Sequence, residues 1–259
     1  MSQDRFDAIV GRLVAARQKG TRVARTDPAL PADYAEGFAI QERVVQALAS
    51  PVIGWKVMQV PQGPVIYAPL LGSGLIAAGG TWEVVGNEPA GIELEIAFRM
   101  GRDVPPDAGR NRLLEAVADA HVVFELCQSR IADPSLLPRH VMLADCIANA
   151  GVVVGDAIAN WRAIELAARA GRLLVDGEIR AEGKSGDPLA VLGLLPPALD
   201  GHGKTLRAGD IVITGSLIGM HWFKGRRELK GSIDGCGEVA MRLIAAEQAK
   251  DDGASARAP

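Results

Sequence analysis

The stretch Gly91-Ile92-Glu93-Leu94-Glu95-Ile96-Ala97-Phe98 decides how the rest of the chain is read. Polar and apolar residues alternate in it, and the side chains of a strand change face at every residue. A strand here sets Glu93 and Glu95 side by side on one face, with Ile92, Leu94 and Ile96 on the other. A second apolar run, His121-Val122-Val123-Phe124-Glu125-Leu126-Cys127, carries one carboxylate, Glu125. Two arrangements satisfy this pattern. Either the pair lies on the wet face of an amphipathic strand, or three carboxylates from two strands converge. The second would make an oxygen-only pocket of the kind preferred by hard divalent cations such as Mg²⁺ or Mn²⁺.

Upstream of this stretch, Phe6, Ile9, Val10, Leu13 and Val14 recur at helical spacing and Gly20 follows as a stop, so residues 3–19 are expected to be a helix. Ala32 to Leu48 is expected to be a second helix, giving an N-terminal helical part over 1–50. Val52-Ile53-Gly54-Trp55-Lys56-Val57 opens the strands, with Lys56 alone in an apolar run. That lysine either snorkels from a strand edge or is desolvated with a lowered pKa, fit for acid/base work. The Gly- and Pro-rich residues 61–80 are expected to form a surface loop. Within it, Gly72-Ser73-Gly74-Leu75-Ile76-Ala77 matches a dinucleotide-binding fingerprint. That fingerprint needs a strand before it and a sustained helix after it, and Pro69 and Gly79-Gly80 deny both.

Downstream, helices are expected at Arg110–Ala120, Leu136–Ala150 and Pro188–Leu195. Short strands are expected at Val152–Gly155, Leu173–Val175, Ile179–Ala181, Ile211–Thr214 and Val239–Leu243. Short strands in mixed order predict an α+β fold with a rolled β core over 51–248, not a doubly wound sheet. Residues 249–259 have the composition of a disordered tail. A net charge of −3 and a pI near 5.9 argue against a nucleic-acid surface. Three cysteines without CxxC spacing suit buried free thiols in a reducing compartment. The N-terminus lacks a signal-peptide layout, and no apolar run approaches the roughly 20 residues of a membrane span. The expectation is a cytoplasmic protein with no membrane partner.

Several segments, taken in order, resemble the 2-oxopent-4-enoate hydratase / 4-oxalocrotonate decarboxylase group of the fumarylacetoacetase superfamily. They are Ile53–Val57, Glu93–Phe98, Glu125 with Ser129-Arg130-Ile131, Asp145–Gly151, Gly186–Ala190, Gly209–Leu217 and Gly235–Val239. The resemblance implies a β-roll with an N-terminal helical part. It implies Mg²⁺ or Mn²⁺ held by Glu93, Glu95 and Glu125, with Lys56 as the proton shuttle, and a homo-oligomer. In such enzymes the metal chelates a 2-oxo acid and stabilises its enolate. The implied reaction is hydration of a dienoate in aromatic catabolism, with decarboxylation second. C–C hydrolysis would need a water-activating base that the sequence does not offer. A catalytically weak subunit partnering a related family member is the reading of a different class.

Thr214 and Ser216 are candidates to meet a substrate carboxylate, and His221 to line the pocket; turn capping and packing are the alternatives. The chain departs from the group's pattern in four places. Met58-Gln59-Val60-Pro61 follows the lysine, Pro64–Leu70 lacks an acidic residue, Gln128 stands before Ser129-Arg130, and Asp145-Cys146-Ile147-Ala148 lacks asparagine and serine. These losses point to a more apolar pocket, suited to a larger or less polar substrate.

Overall fold

A computed structural model of the protein describes residues 3–245; the expected tail at 249–259 lies outside the described residues. Two helices open the chain, α1 (Gln3–Lys19) and α2 (Tyr34–Leu48). The second starts two residues later than its periodicity suggests because Asp33 caps it, accepting from the Glu36 N–H at 2.8 Å. The strands and short helices follow as β1 (Val52–Gln59), β2 (Val65–Leu71), β3 (Leu75–Ala77), β4 (Thr81–Glu83), β5 (Ala90–Met100), α3 (Arg110–Ala116), β6 (Val117–Cys127) and α4 (Arg139–Ala144). Then come β7 (Asn149–Ala157), β8 (Ala170–Val175), β9 (Glu178–Lys184), α5 (Pro188–Leu192), α6 (Leu195–Asp200), β10 (Ile211–Ile213), β11 (His221–Phe223), β12 (Arg226–Ile233) and β13 (Gly237–Ile244).

The larger sheet has eight strands, in the order β2-β1-β10-β5-β6-β7-β3 with β11 added alongside β5. The smaller has five, β4-β13-β12-β8-β9. Both mix parallel and antiparallel pairs, as the α+β expectation requires. The two sheets pack through one apolar core in which Leu94, Ile96, Phe98, Val122 and Phe124 of the large sheet meet Leu173, Leu229, Val239 and Met241 of the small one. The odd-numbered residues of β5 and β6 face the other way. On that side the large sheet curls until β2 approaches β7, and Leu70, Ala97, Val123, Val152 and Ile213 fill one end of the curl. The carboxylates stand at its other end.

Four expectations are corrected. Residues 61–80 are not all loop: β2 is a full strand there, and its Pro69 is tolerated because β2 is an edge strand paired only with β1. The helix expected over Arg110–Ala120 ends at Ala116, where β-branched Val117 begins an eleven-residue strand. The helix expected over Leu136–Ala150 is a six-residue α4, followed by a tight turn in which Cys146, Ile147 and Ala148 have φ of 51, 50 and 61. Two short helices, α5 and α6, also replace the single one expected at Pro188–Leu195. The Gly72–Ala77 segment makes a 3₁₀ turn and a three-residue strand, with no helix for a phosphate to cap. No helix among the described residues is long and apolar enough to cross a membrane.

Candidate metal centre

Glu93 and Glu125 are directly opposed across the β5–β6 ladder, with Glu95 opposite Val123 and Cys127 opposite Gly91. Directly opposed residues project to the same face. All four polar side chains therefore enter the curl together. Glu95 and Glu125 are 0% exposed, so the wet-face arrangement does not occur. Lys56 reaches the same point from β1 and is 5% exposed. It does not snorkel: β2 covers the edge that β1 would otherwise present. Its Nζ lies 2.9 Å and 2.7 Å from the two oxygens of Glu125 and 3.6 Å from Glu93 Oε2.

Two buried carboxylates and the part-buried Glu93 thus face one ammonium, and the pKa values of Glu93 and Glu95 reflect the imbalance. Burial raises Glu93; Lys56 lowers it and Glu125 raises it again, leaving its pKa pushed up to about 6. Glu95 stands well above the carboxylate range, first through burial and then through Glu125 and Glu93. Burial alone would lower the Lys56 pKa, but Glu125, Cys127, Glu93 and Glu95 outweigh it and hold the ammonium well above a free lysine. The lowered lysine pKa considered from sequence is therefore not found here. Glu95 Oε2 accepts from the Gly215 N–H at 2.7 Å, while its Oε1 is buried with no partner. The tightest donor group is Glu93, Glu125 and Cys127, whose ligand atoms all lie within 4.8 Å of one another. An excess of buried carboxylate, an orphaned oxygen and a donor group of one-ion dimensions together fit a divalent cation.

The residue that sequence reasoning missed is Asn149. Its Nδ2 donates to Glu125 Oε1 at 2.9 Å, so Glu125 is held from both sides. The asparagine absent from Asp145–Ala148 is supplied one residue beyond that turn. Delivery depends on Arg130. Its guanidinium donates to Asp145 Oδ1 at 2.6 Å, to the Asp145 carbonyl at 2.8 Å and to the Asn149 carbonyl at 3.0 Å, and it also bonds the Gln128 carbonyl. Only the spacing from the Ser129-Arg130 motif could have signalled this role.

The loop candidates fall elsewhere. The Thr214 hydroxyl donates to the Ile96 carbonyl at 2.9 Å, and that of Ser216 to the Gly219 carbonyl at 3.1 Å. That segment reaches the site through its backbone instead. Gly215 has φ +104, a conformation that favours glycine and aims its N–H at Glu95. His221 is opposite Ile92 in the ladder, hence on the core side, with Nε2 3.0 Å from the Ile218 carbonyl. Its neighbours Met220 and Trp222 line the pocket in its place. The cavity above Lys56 and Glu93 has a volume of about 690 Å³, with Met58, Met142, Ile147 and Trp222 among its walls and Arg22 and Arg139 in its lining. The apolar character expected from the motif departures is present in those walls.

No protein-family model matches the sequence. A 2-keto-4-pentenoate hydratase of Burkholderia vietnamiensis is 33% identical over 153 residues, which is 57% of this chain and 58% of that protein. A second, from Paraburkholderia phymatum, is 34% identical over a stretch of the same length. The match thus spans less than two thirds of either relative. Among solved structures, 4-oxalocrotonate decarboxylase from Pseudomonas putida G7, complexed with magnesium and adipate, superposes with a TM-score of 0.83. The superposition covers 94% of this chain and 99% of that one at 18% identity. The chain shares its fold with that decarboxylase. The chain is thus similar in sequence to two hydratases over part of its length, and in fold to a decarboxylase. A fumarylpyruvate hydrolase of Pseudomonas aeruginosa, solved with Mn²⁺ and pyruvate, superposes with a TM-score of 0.57, covering 76% of this chain and 91% of its own at 19% identity.

Proposed function

We propose that the protein is a divalent-metal-dependent lyase that hydrates a 2-hydroxydienoate or its 2-oxo tautomer. The observation that carries this is Lys56 set among Glu93, Glu95 and Glu125 in a closed pocket below a largely apolar cavity. Glu93, Glu95 and Glu125 would hold the cation, Mg²⁺ or Mn²⁺ in the first instance. When bound it supplies Lewis-acid stabilisation to negative charge on the 2-oxo oxygen. Lys56 Nζ moves the proton to and from the substrate carbon, and the water's hydroxyl adds at the far end of the conjugated system. Asn149 keeps Glu125 oriented while Lys56 leaves it, and the Gly215 N–H does the same for Glu95. Met58, Met142 and Trp222 exclude water from the substrate's tail.

A second reading, decarboxylation of a dicarboxylic 2-oxo acid, is favoured by Arg139, an exposed cation in the cavity lining that a distal carboxylate would meet. The protein is also proposed to act as a homo-oligomer, with association to a related family member as the alternative.

The test is titration of metal-stripped protein with Mg²⁺ and Mn²⁺, with and without oxalate or pyruvate, in wild type and Glu95→Gln. Cation binding that oxalate tightens and Glu95→Gln weakens supports the reading. Absence of binding at millimolar cation defeats it and leaves a scaffold without the chemistry. Product analysis with a dienoate and with a dicarboxylic 2-oxo acid then separates hydration from CO₂ release.

A further inference from the structure

Cys127 is the donor that the oxygen-only description of the pocket omits. It is fully buried, stands two residues beyond Glu125 on the same face of β6, and its Sγ lies 3.9 Å from Glu93 Oε2. Two donors sharing one ion, at about 2.3 Å for sulfur and about 2.1 Å for oxygen, lie up to about 4.4 Å apart. The Glu93–Glu125–Cys127 group, with its ligand atoms within 4.8 Å of one another, is close to that span. The thiol has no reason of packing alone to face carboxylates. Val123, Ala97 and Ile213 on this face are apolar and sit at one end of the curl, whereas Cys127 lies at the charged end. A second observation points to a ligand independently: Glu95 Oε1, on a 0% exposed side chain aimed into the same pocket, has no partner.

We infer that Cys127 is a fourth donor at this centre and tilts its preference from Mg²⁺ toward thiophilic divalent ions, of which Co²⁺, Fe²⁺ and Zn²⁺ are the chemical class. The inference rests on the metal reading proposed above and deepens it. Thiolate is a soft ligand that Mg²⁺ takes poorly, whereas borderline first-row ions accept mixed sulfur and oxygen sets. On ligation the S–H bond breaks, its proton leaves to solvent, and the sulfur lone pair enters the ion's coordination shell. Positive charge on the ion takes the place that the Lys56 ammonium holds beside Glu125 and Glu93. Gly91, directly across the ladder, leaves room for this: a Cβ there would stand 3.0 Å from Cys127 Cβ and 2.6 Å from Met220 Sδ.

The experiment uses the full-length, metal-stripped protein titrated with Co²⁺ and, separately, with Mg²⁺. The wild-type cobalt form should show near-ultraviolet thiolate-to-cobalt charge-transfer absorption. Cys127→Val, close in volume and apolar, should abolish that band. It should lower the ratio of Co²⁺ to Mg²⁺ affinity by about tenfold or more while changing Mg²⁺ affinity little. Cys127→Ser, which keeps a small polar donor of the same shape, should also lose the band. Cobalt bound without a thiolate band, or an affinity ratio unchanged in Cys127→Val, overturns the inference and leaves the carboxylate centre standing. The wild-type spectrum decides this even if a variant fails to fold. Failure of wild type to bind either ion defeats the metal reading itself, and the inference with it.

Discussion

Glu93 is the residue at which proton and cation would compete under the proposed metal reading. Its pKa of about 6 lies above the ordinary 4.5, so the fold favours its protonated form. The associated stability is fully present below pH 4.5 and is lost as pH rises through 6. Glu93→Gln copies the protonated state. In metal-free protein it should leave stability unchanged at pH 4 and raise it by up to about 2 kcal/mol at pH 7.5, measured by urea unfolding in the presence of a chelator. An equal effect at both pH values would show that Glu93 is not raised. The same competition should make divalent-cation affinity increase as pH rises through about 6, as Mn²⁺ titrations across pH 5–7.5 would show. Lys56 is the complementary case. Lys56→Met leaves Glu125 buried without its charge partner and should cost about 3 kcal/mol in chelator. Saturating Mn²⁺ should restore most of that loss in a thermal-shift assay, because the ion supplies the missing positive charge. A loss that Mn²⁺ does not reduce would argue against cation binding beside Glu125.

At the scale of the element, the turn from Asp145 to Asn149 carries the site. Three successive non-glycine residues hold left-handed backbone there, and left-handed geometry costs roughly 1–2 kcal/mol per residue. Arg130 over-determines the turn, bonding Asp145 and both the Ala148 and Asn149 carbonyls. Replacing Arg130 with Met should cost about 3–5 kcal/mol by leaving Asp145 buried and unpaired. It should also weaken cation binding, because Asn149 would no longer be presented to Glu125. Ala148→Gly acts in the other direction. It relieves backbone strain at φ 61 and removes only one methyl, so chemical denaturation should show a gain of up to about 1 kcal/mol with cation affinity unchanged. A loss of stability would mean that the turn is not strained at Ala148.

For the whole molecule, the relation of the two sheets sets the pocket. Gly231 of β12 is one point where they approach closely: a Cβ added there would stand 2.6 Å from Leu94 Cδ1 and 2.8 Å from Phe124 Cε1. Leu94 lies between Glu93 and Glu95, and Phe124 precedes Glu125. Gly231→Val should therefore cost about 1–3 kcal/mol through overpacking. It should also lower cation affinity, although Gly231 lies on the far side of the sheet from the carboxylates. Unchanged affinity in a folded Gly231→Val protein would show that the centre is insulated from sheet packing.

Alternation along Glu93–Glu95 and the single carboxylate in the Glu125 run determined which residues share a face, because a strand's period of two depends on no partner. Helical spacing likewise located α1 and α2, and segment order made the rolled α+β fold legible. Other features required the folded chain. Whether the shared face is wet or buried depended on the sheet curling until β2 nears β7. Lys56 joined the carboxylates through parallel pairing of β1 with β10, a contact between residues more than 150 apart in sequence. Asn149 and Cys127 reached Glu125 and Glu93 by way of a strained turn and a ladder register. Local pattern encodes the direction of a side chain, whereas burial, charge partners and donor spacing arise from distant segments packed together, and those are what decided the centre.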